Sequence, residues 1–298
     1  MLRNHRLVRG VLAAGCTAVV AAAAAAGPAQ AASPFVRDTA LCPTGKVTVG
    51  GGTQVVGAGT ADFRTNMLES APGTIGGGAQ SLWLTAMRND SGVTRTIGLF
   101  TVCAGTPSGY EVVRKDTVVP AGGFLRSTAI CPTGKVALAG GMQVVGAGTA
   151  DFRTRMQESA PGTINGGAQS LWLVAMRNYD SVAHTVGIFA VCGYRPYGYE
   201  VVRKDTLVPA GGFLRSTANC PSGKVVMGGG TSVVGEGTAD FRTRMQENAP
   251  GTTGSPAVSV HLSSVRNYDS RAHTIALHAV CTPLPYGYQV VRKDVAIG

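Results

Sequence analysis

Cys42-Pro43-Thr44-Gly45-Lys46-Val47-Thr48-Val49-Gly50-Gly51-Gly52 returns as Cys131-Pro132-Thr133-Gly134-Lys135-Val136-Ala137-Leu138-Ala139-Gly140-Gly141, and again as Cys220-Pro221-Ser222-Gly223-Lys224-Val225-Val226-Met227-Gly228-Gly229-Gly230. Both intervals are 89 residues, and Cys103, Cys192 and Cys281 keep the same spacing. One unit is therefore written three times without insertion, at 35–123, 124–212 and 213–298. A glycine-rich loop with a lysine suggests phosphate binding only when the lysine follows the glycines and a helix begins. Here the lysine comes first and no helical period follows, so the stretch reads as a turn into a bulged strand.

Outward from it, the first unit shows strands near 35–41, 46–49, 53–56, 64–70, 81–89, 94–103 and 110–119, separated by Gly, Pro and Asn turns. Short β-rich runs at this spacing predict an all-β chain of three antiparallel sandwich- or jelly-roll-like modules. Only Pro-Ala-Gly-Gly (120–123 and 209–212) separates one unit's last strand from the next unit's first. That is too short for a tether, so the modules are expected to pack together with pseudo-threefold symmetry.

Residues 1–31 read as a signal peptide. Arg3, Arg6 and Arg9 precede an apolar run at 11–26, and Ala29-Gln30-Ala31 offers a cleavage site. A lipid-modified Cys16 is a weaker reading, because the apolar run continues past it. No second hydrophobic span follows, so the expected product is secreted and extracellular, with no membrane span. Six cysteines then remain, two per unit, and an exported chain oxidises them. Identical units should each close their own pair: Cys42–Cys103, Cys131–Cys192 and Cys220–Cys281. Two cysteines per unit without an invariant histidine do not make a metal site, and no cofactor is expected.

The Trp83 strand carries Leu82, Leu84 and Ala86 on one face, expected to line the core, and Trp83, Thr85 and Met87 on the other. In the third unit Trp83 and Trp172 become His261, while Phe100 and Phe189 become His278. A buried Trp replaced by His leaves a void, so the Trp face is expected to be accessible or to lie between units. A cross-strand Trp83–Phe100 neighbourhood would make both exchanges local.

Gly59-Thr60-Ala61-Asp62-Phe63-Arg64-Thr65 recurs around Asp151 and Asp240 and reads first as a structural loop, second as a ligand loop. The charged run from Tyr110 to Asp116 reads as a sheet edge. Its Glu111 becomes Gln289 in the third copy, which rules out an obligatory acid or base there. Repeat 1 has no histidine, so no Ser-His or Cys-His arrangement can recur in every unit. Of the carboxylates held in all copies (the Asp62, Glu69 and Asp116 sets), nothing in the sequence brings two together.

The Cys-Pro-x-Gly-Lys-Val opening, the strand ending Arg88-Asn89 or Arg177-Asn178, and the closing Ala-Val-Cys strand resemble β-rich repeat modules of secreted actinobacterial proteins. That resemblance implies an exported, disulfide-bonded β module and carries over no catalytic residue.

Without the leader arginines, 23 Lys and Arg face 16 Asp and Glu, scattered rather than in runs. This favours anionic surfaces or polymers and falls short of a nucleic-acid signature. The functional expectation is a non-enzymatic, multivalent binding or structural protein contacting an extracellular polymer or cell-surface glycan. Its expected contacts are Trp83, Phe100, Trp172 and Phe189, with Arg88 and Arg177. The alternative is a protease inhibitor or toxin-associated factor presenting loops at Ala71-Pro72-Gly73, Ala160-Pro161-Gly162 and Ala249-Pro250-Gly251. An extracellular hydrolase ranks last.

Overall fold

The computed structural model describes residues 33–57, 63–146, 152–235, 241–255 and 257–298. The leader with Cys16, and the loop aspartates Asp62, Asp151 and Asp240, lie outside them. Repeat 1 forms β1 (Phe35–Leu41), β2 (Val47–Val55), β3 (Thr65–Ile75), β4 (Gln80–Asn89), β5 (Arg95–Ala104) and β6 (Glu111–Val119). Repeat 2 gives β7 (Phe124–Ile130), β8 (Lys135–Val144), β9 (Thr154–Ile164), β10 (Gln169–Asn178), β11 (His184–Tyr194) and β12 (Glu200–Val208). Repeat 3 gives β13 (Phe213–Asn219), β14 (Lys224–Val233), β15 (Thr243–Thr253), β16 (Val258–Asn267), β17 (His273–Pro283) and β18 (Gln289–Ile297). Among the described residues there is no α-helix, and no helix long and apolar enough to cross a membrane.

The strands build three six-stranded antiparallel sheets: β1-β4-β3-β8-β11-β6, β7-β10-β9-β14-β17-β12 and β13-β16-β15-β2-β5-β18. Each sheet takes four strands from one repeat and its second and fifth strands from the next. Repeat 1 supplies those two strands to the sheet of repeat 3, so the exchange closes into a ring. The closing pair is β18 with β5, in register from Gln289↔Cys103 to Ile297↔Arg95. Two further bonds seal it, Lys293 Nζ to Asp38 Oδ1 at 2.7 Å and Gly298 N–H to the Ser33 carbonyl at 2.8 Å. The all-β class and three disulfide-bonded units are those expected from the sequence. The sharing of every sheet between two repeats is the added feature.

All three disulfides form as expected. Cys42 follows β1 in the first sheet, whereas Cys103 belongs to β5 in the third. Each bridge thus ties two sheets and closes a 61-residue separation, worth about 4 kcal/mol by chain entropy.

Strands β2, β8 and β14 contact one another, as do β3, β9 and β15, so the middle of each sheet faces a pseudo-threefold axis. Glycine permits this approach. A Cβ on Gly141 would lie 1.8 Å from the Ser70 carbonyl oxygen of the neighbouring repeat, and one on Gly50 would lie 1.8 Å from that of Met227. Gly141→Ala is therefore expected to force two backbones apart and destabilise by about 2 kcal/mol or more. Urea unfolding measures it, and an unchanged midpoint would refute the close approach.

A β-bulge in β3, β9 and β15 falls just before Glu69, Glu158 and Glu247, whose side chains are wholly buried. Each carboxylate takes a two-pronged bond from an arginine of its own repeat: Arg37 at 2.6 and 3.3 Å, Arg126 at 2.7 and 3.1 Å, Arg215 at 2.6 and 3.1 Å. Each also accepts the N–H of Val144, Val233 or Val55 from the following repeat. Burial pushes the carboxyls of Glu69 and Glu247 up, against the pull of these partners. The invariant glutamates are inter-repeat fasteners.

Candidate functional site

Trp83 (2 % exposed), Trp172 (1 %) and His261 (1 %) lie in the interior. Trp83 clusters with Val136, Leu138, Ala139 and Val191 of repeat 2, so its face is the inter-repeat one rather than an accessible one. Each ring presses on a glycine: a Cβ on Gly51, Gly140 or Gly229 would lie 2.3 to 2.4 Å from the Cγ of Trp83, Trp172 or His261. The indole N–H groups donate to Ser70 and Ser159 Oγ, both at 2.8 Å, while His261 Nε2 lies 2.6 Å from Asn248 Oδ1. The partner lengthens from Ser to Asn where the ring shrinks, which is how a buried Trp position tolerates histidine.

Phe100 and Phe189 are nearly buried and sit under Arg292 and Arg114, each 5.6 Å from the ring. The expected Trp83–Phe100 cross-strand pair does not form, because β4 and β5 belong to different sheets. Leu82 and Ala86 are buried and Leu84 half-buried, as expected of a core face, but Trp83, Thr85 and Met87 are fully buried too, so β4 is covered on both faces. Arg88 and Arg177 lie apart from these aromatics, at the other end of β4 and β10. Ala71-Pro72-Gly73 and its two counterparts are internal to β3, β9 and β15, with Pro72 opposite Trp83. They present no loop to a protease. The charged run is an edge strand as expected, its Arg114–Asp116 pair exposed.

The accessible concavity lies elsewhere, where the β5–β6, β11–β12 and β17–β18 loops meet around the axis. Each loop is held by the same frame. A turn bonds the N–H of Tyr110, Tyr199 or Tyr288 to the carbonyl of Pro107, Pro196 or Pro285. The intervening Gly109, Gly198 and Gly287 take positive φ. The tyrosine hydroxyls donate to the carbonyls of Thr48, Ala137 and Val226 at 2.9 to 3.0 Å, and burial pushes all three phenols up to about 12. Neighbouring loops are joined by Gly105 N–H to Tyr286 O and by Tyr194 N–H to Ser108 O, both 2.9 Å. The third such bond is precluded at Pro283, which has no N–H.

On this frame the remaining positions differ: Gly105, Tyr194 and Pro283; Thr106, Arg195 and Leu284; Ser108, Tyr197 and Tyr286. All of these but Leu284 surround a depression of about 650 Å³ floored by Leu138 and Met227. Those two are the extra residues of the β8 and β14 bulges, which turn them toward the axis. Tyr197 and Tyr286 stand at its rim, 95 % and 92 % exposed. Two grooves lie on the sides. One, of about 440 Å³, shares Arg195 and runs past Tyr199, Glu200, Arg203 and His278. The other, of about 540 Å³, starts at Leu284 and runs past Tyr288, Lys224 and Phe100. Phe100, an expected contact, lines this second groove. No lining residue of the axial depression carries a carboxylate, imidazole or thiol, so its chemistry is that of apolar stacking with hydroxyl and guanidinium donors.

The sequence signal for these loop residues is variable Tyr, Arg and Leu set between invariant Pro, Gly and Tyr, which becomes a site only once the fold brings the three loops together. Among the described residues no group of His, Cys, Asp and Glu could hold a metal ion. No protein-family model and no curated protein matches the chain.

Proposed function

We propose that this is a secreted, non-enzymatic binding protein whose ligand is an extracellular glycan or cell-wall polymer, held across the loop end of the axis. The observation that carries the reading is the pair Tyr197 and Tyr286, almost fully solvated beside an apolar floor. An exposed tyrosine offers a flat apolar face and a hydrogen-bonding hydroxyl, the combination that a sugar ring complements. One side groove continues from the depression through Arg195, which suits a chain rather than a single small molecule. Three disulfides and the leader-like first 31 residues support action outside the cell. The three repeats act as unequal walls of one composite site, so avidity comes from a long ligand filling several subsites.

The test is retention of the purified protein on insoluble cell-wall polysaccharide. Tyr197→Ala with Tyr286→Ala is expected to weaken retention about tenfold or more, as loss of two aromatic anchors does. Leu207→Ala, exposed on the edge strand β12, should leave it unchanged. Equal retention by both variants, or none by the parent, overturns the reading.

A further inference from the structure

At the opposite end of the strands, the first residues of β3, β9 and β15 place Asn66, Arg155 and Arg244 in equivalent positions of the three repeats. Around them stand Arg88, Arg177 and Arg266 at the ends of β4, β10 and β16, followed by Asp90, Tyr179 and Tyr268. Of this group, Arg155 and Arg244 are the pair that the neighbouring side chains hold most closely. We propose that Arg155 and Arg244 form a second site, independent of the loop-end depression, which takes a tetrahedral oxyanion: a sulfate or phosphate group.

Arg155 is 7 % exposed. Its Nη1 donates to the Thr154 carbonyl at 2.9 Å, and its Nη2 reaches Asp90 Oδ2 at 3.4 Å. Asp90 is already engaged by Arg88 Nε at 3.1 Å and by the Asn66 amide at 2.7 Å. Arg244 is held between two rings, 5.2 Å from the Tyr179 centroid and 4.3 Å from that of Tyr268. The Nε–H of Arg155 and the Nε–H of Arg244 are both buried without an acceptor among the described residues. An unpaired buried donor on a cation is costly, and on two neighbouring guanidinium groups it creates a demand that an anion would meet. Burial lowers the Arg155 pKa, and the neighbouring Arg244 and Arg88 add to that pressure against the relief from Asp90. Asp90, Tyr179 and Tyr268 are exposed, so the rim of the cluster reaches solvent. The Tyr179 and Tyr268 rings fix the Arg244 guanidinium from its faces.

The experiment is titration of the purified protein with sodium sulfate, and separately with inorganic phosphate, at constant ionic strength in chloride. Heat release and thermal midpoint are the readouts. A saturable response is expected in both. Arg244→Gln should weaken it about tenfold or more. Arg244→Lys, which keeps the charge and loses the fork, should fall in between and covers the case in which the glutamine variant does not fold. Arg114→Gln, on the outer edge strand, should behave as the parent and controls for the general stabilisation that sulfate gives any protein. Comparing phosphate at pH 6 and pH 8 separates the two groups, since only phosphate changes charge there. No saturable response, or Arg244 and Arg114 variants responding alike, overturns the proposal.

Discussion

A single repeat cut out at 124–212 is expected never to exist as a folded monomer. Within the intact protein β7, β10 and β9 pair with one another, and β8 pairs with β11. These two groups lie in different sheets, and β12 pairs only with β17 of repeat 3. A lone repeat therefore keeps a three-stranded piece and a hairpin-like pair, joined by Cys131–Cys192, with an orphan strand. Its buried Glu158 would lose the Val233 N–H, and Trp172 and Glu158 would be uncovered on the inner face. A unit of this size has too little interior to survive such losses. Two outcomes agree with the structure: an unfolded monomer, or a homotrimer in which three copies perform the same exchange. Sedimentation with circular dichroism distinguishes them. A monomer that unfolds cooperatively would show that the repeats are self-contained, against the ring.

That ring also marks where the sequence stops being informative. Most strand positions, the disulfide partners and the β2 bulge are legible, because each depends on local pattern or on counting. β2 was read as two short strands and is one, since the bulge at Val49 interrupts its alternation without ending it. The exchange was not legible at all. When three units are alike, β2 pairing within its own repeat and β2 pairing with the neighbour's β15 present the same alternation, so pattern cannot choose. The tight Pro-Ala-Gly-Gly joints indicated close association and nothing about who pairs with whom. The Trp face lies between repeats, one of its two expected placements, and what pattern alone does not show is how that interior accepts His261: the compensation lies 13 residues away at Asn248, where the other repeats carry serine. The loop-end site was hidden by its variability, and only the fold shows that the three variable loops converge.

Acid is expected to destabilise the protein through repeat 3, by about 2 kcal/mol for each of two histidines between pH 7 and pH 5. Burial holds His261 down to about 3, with the nearby His278 adding to it. Burial also holds His278 down to about 4, with Arg203 assisting against Asp205. The geometry agrees with neutral rings. His261 Nε2 faces Asn248 Oδ1 and His278 Nε2 faces Ser232 Oγ, while both Nδ1 atoms are buried without a partner. A second proton on either ring would have no acceptor. In the unfolded chain both titrate near 6.5. Between that value and the folded one, the unfolded state binds protons that the folded state refuses. The contribution is therefore fully present above pH 6.5 and is lost as pH falls. Asp180 and Asp269 do not confuse this window. Burial raises them, but the N–H groups of Arg153 and Arg242 and the rings of His184 and His273 leave them net lowered, so their contribution fades only below the usual carboxylate range. Glu69 and Glu247, held above their ordinary value, work in the opposite sense, stabilising on acidification. The readout is therefore the difference between parent and variant, in which the glutamates cancel. His278→Phe combined with His261→Trp and Asn248→Ser gives repeat 3 the residues of its neighbours and removes both titrating rings. Urea unfolding at pH 7 and pH 5 should show the parent losing about 4 kcal/mol relative to this variant. His278→Phe alone should recover about half, which keeps the prediction open if the larger tryptophan overpacks its site. Parallel pH profiles would mean that the imidazoles accept protons in the folded state, and the neutral, buried assignment of both would fail.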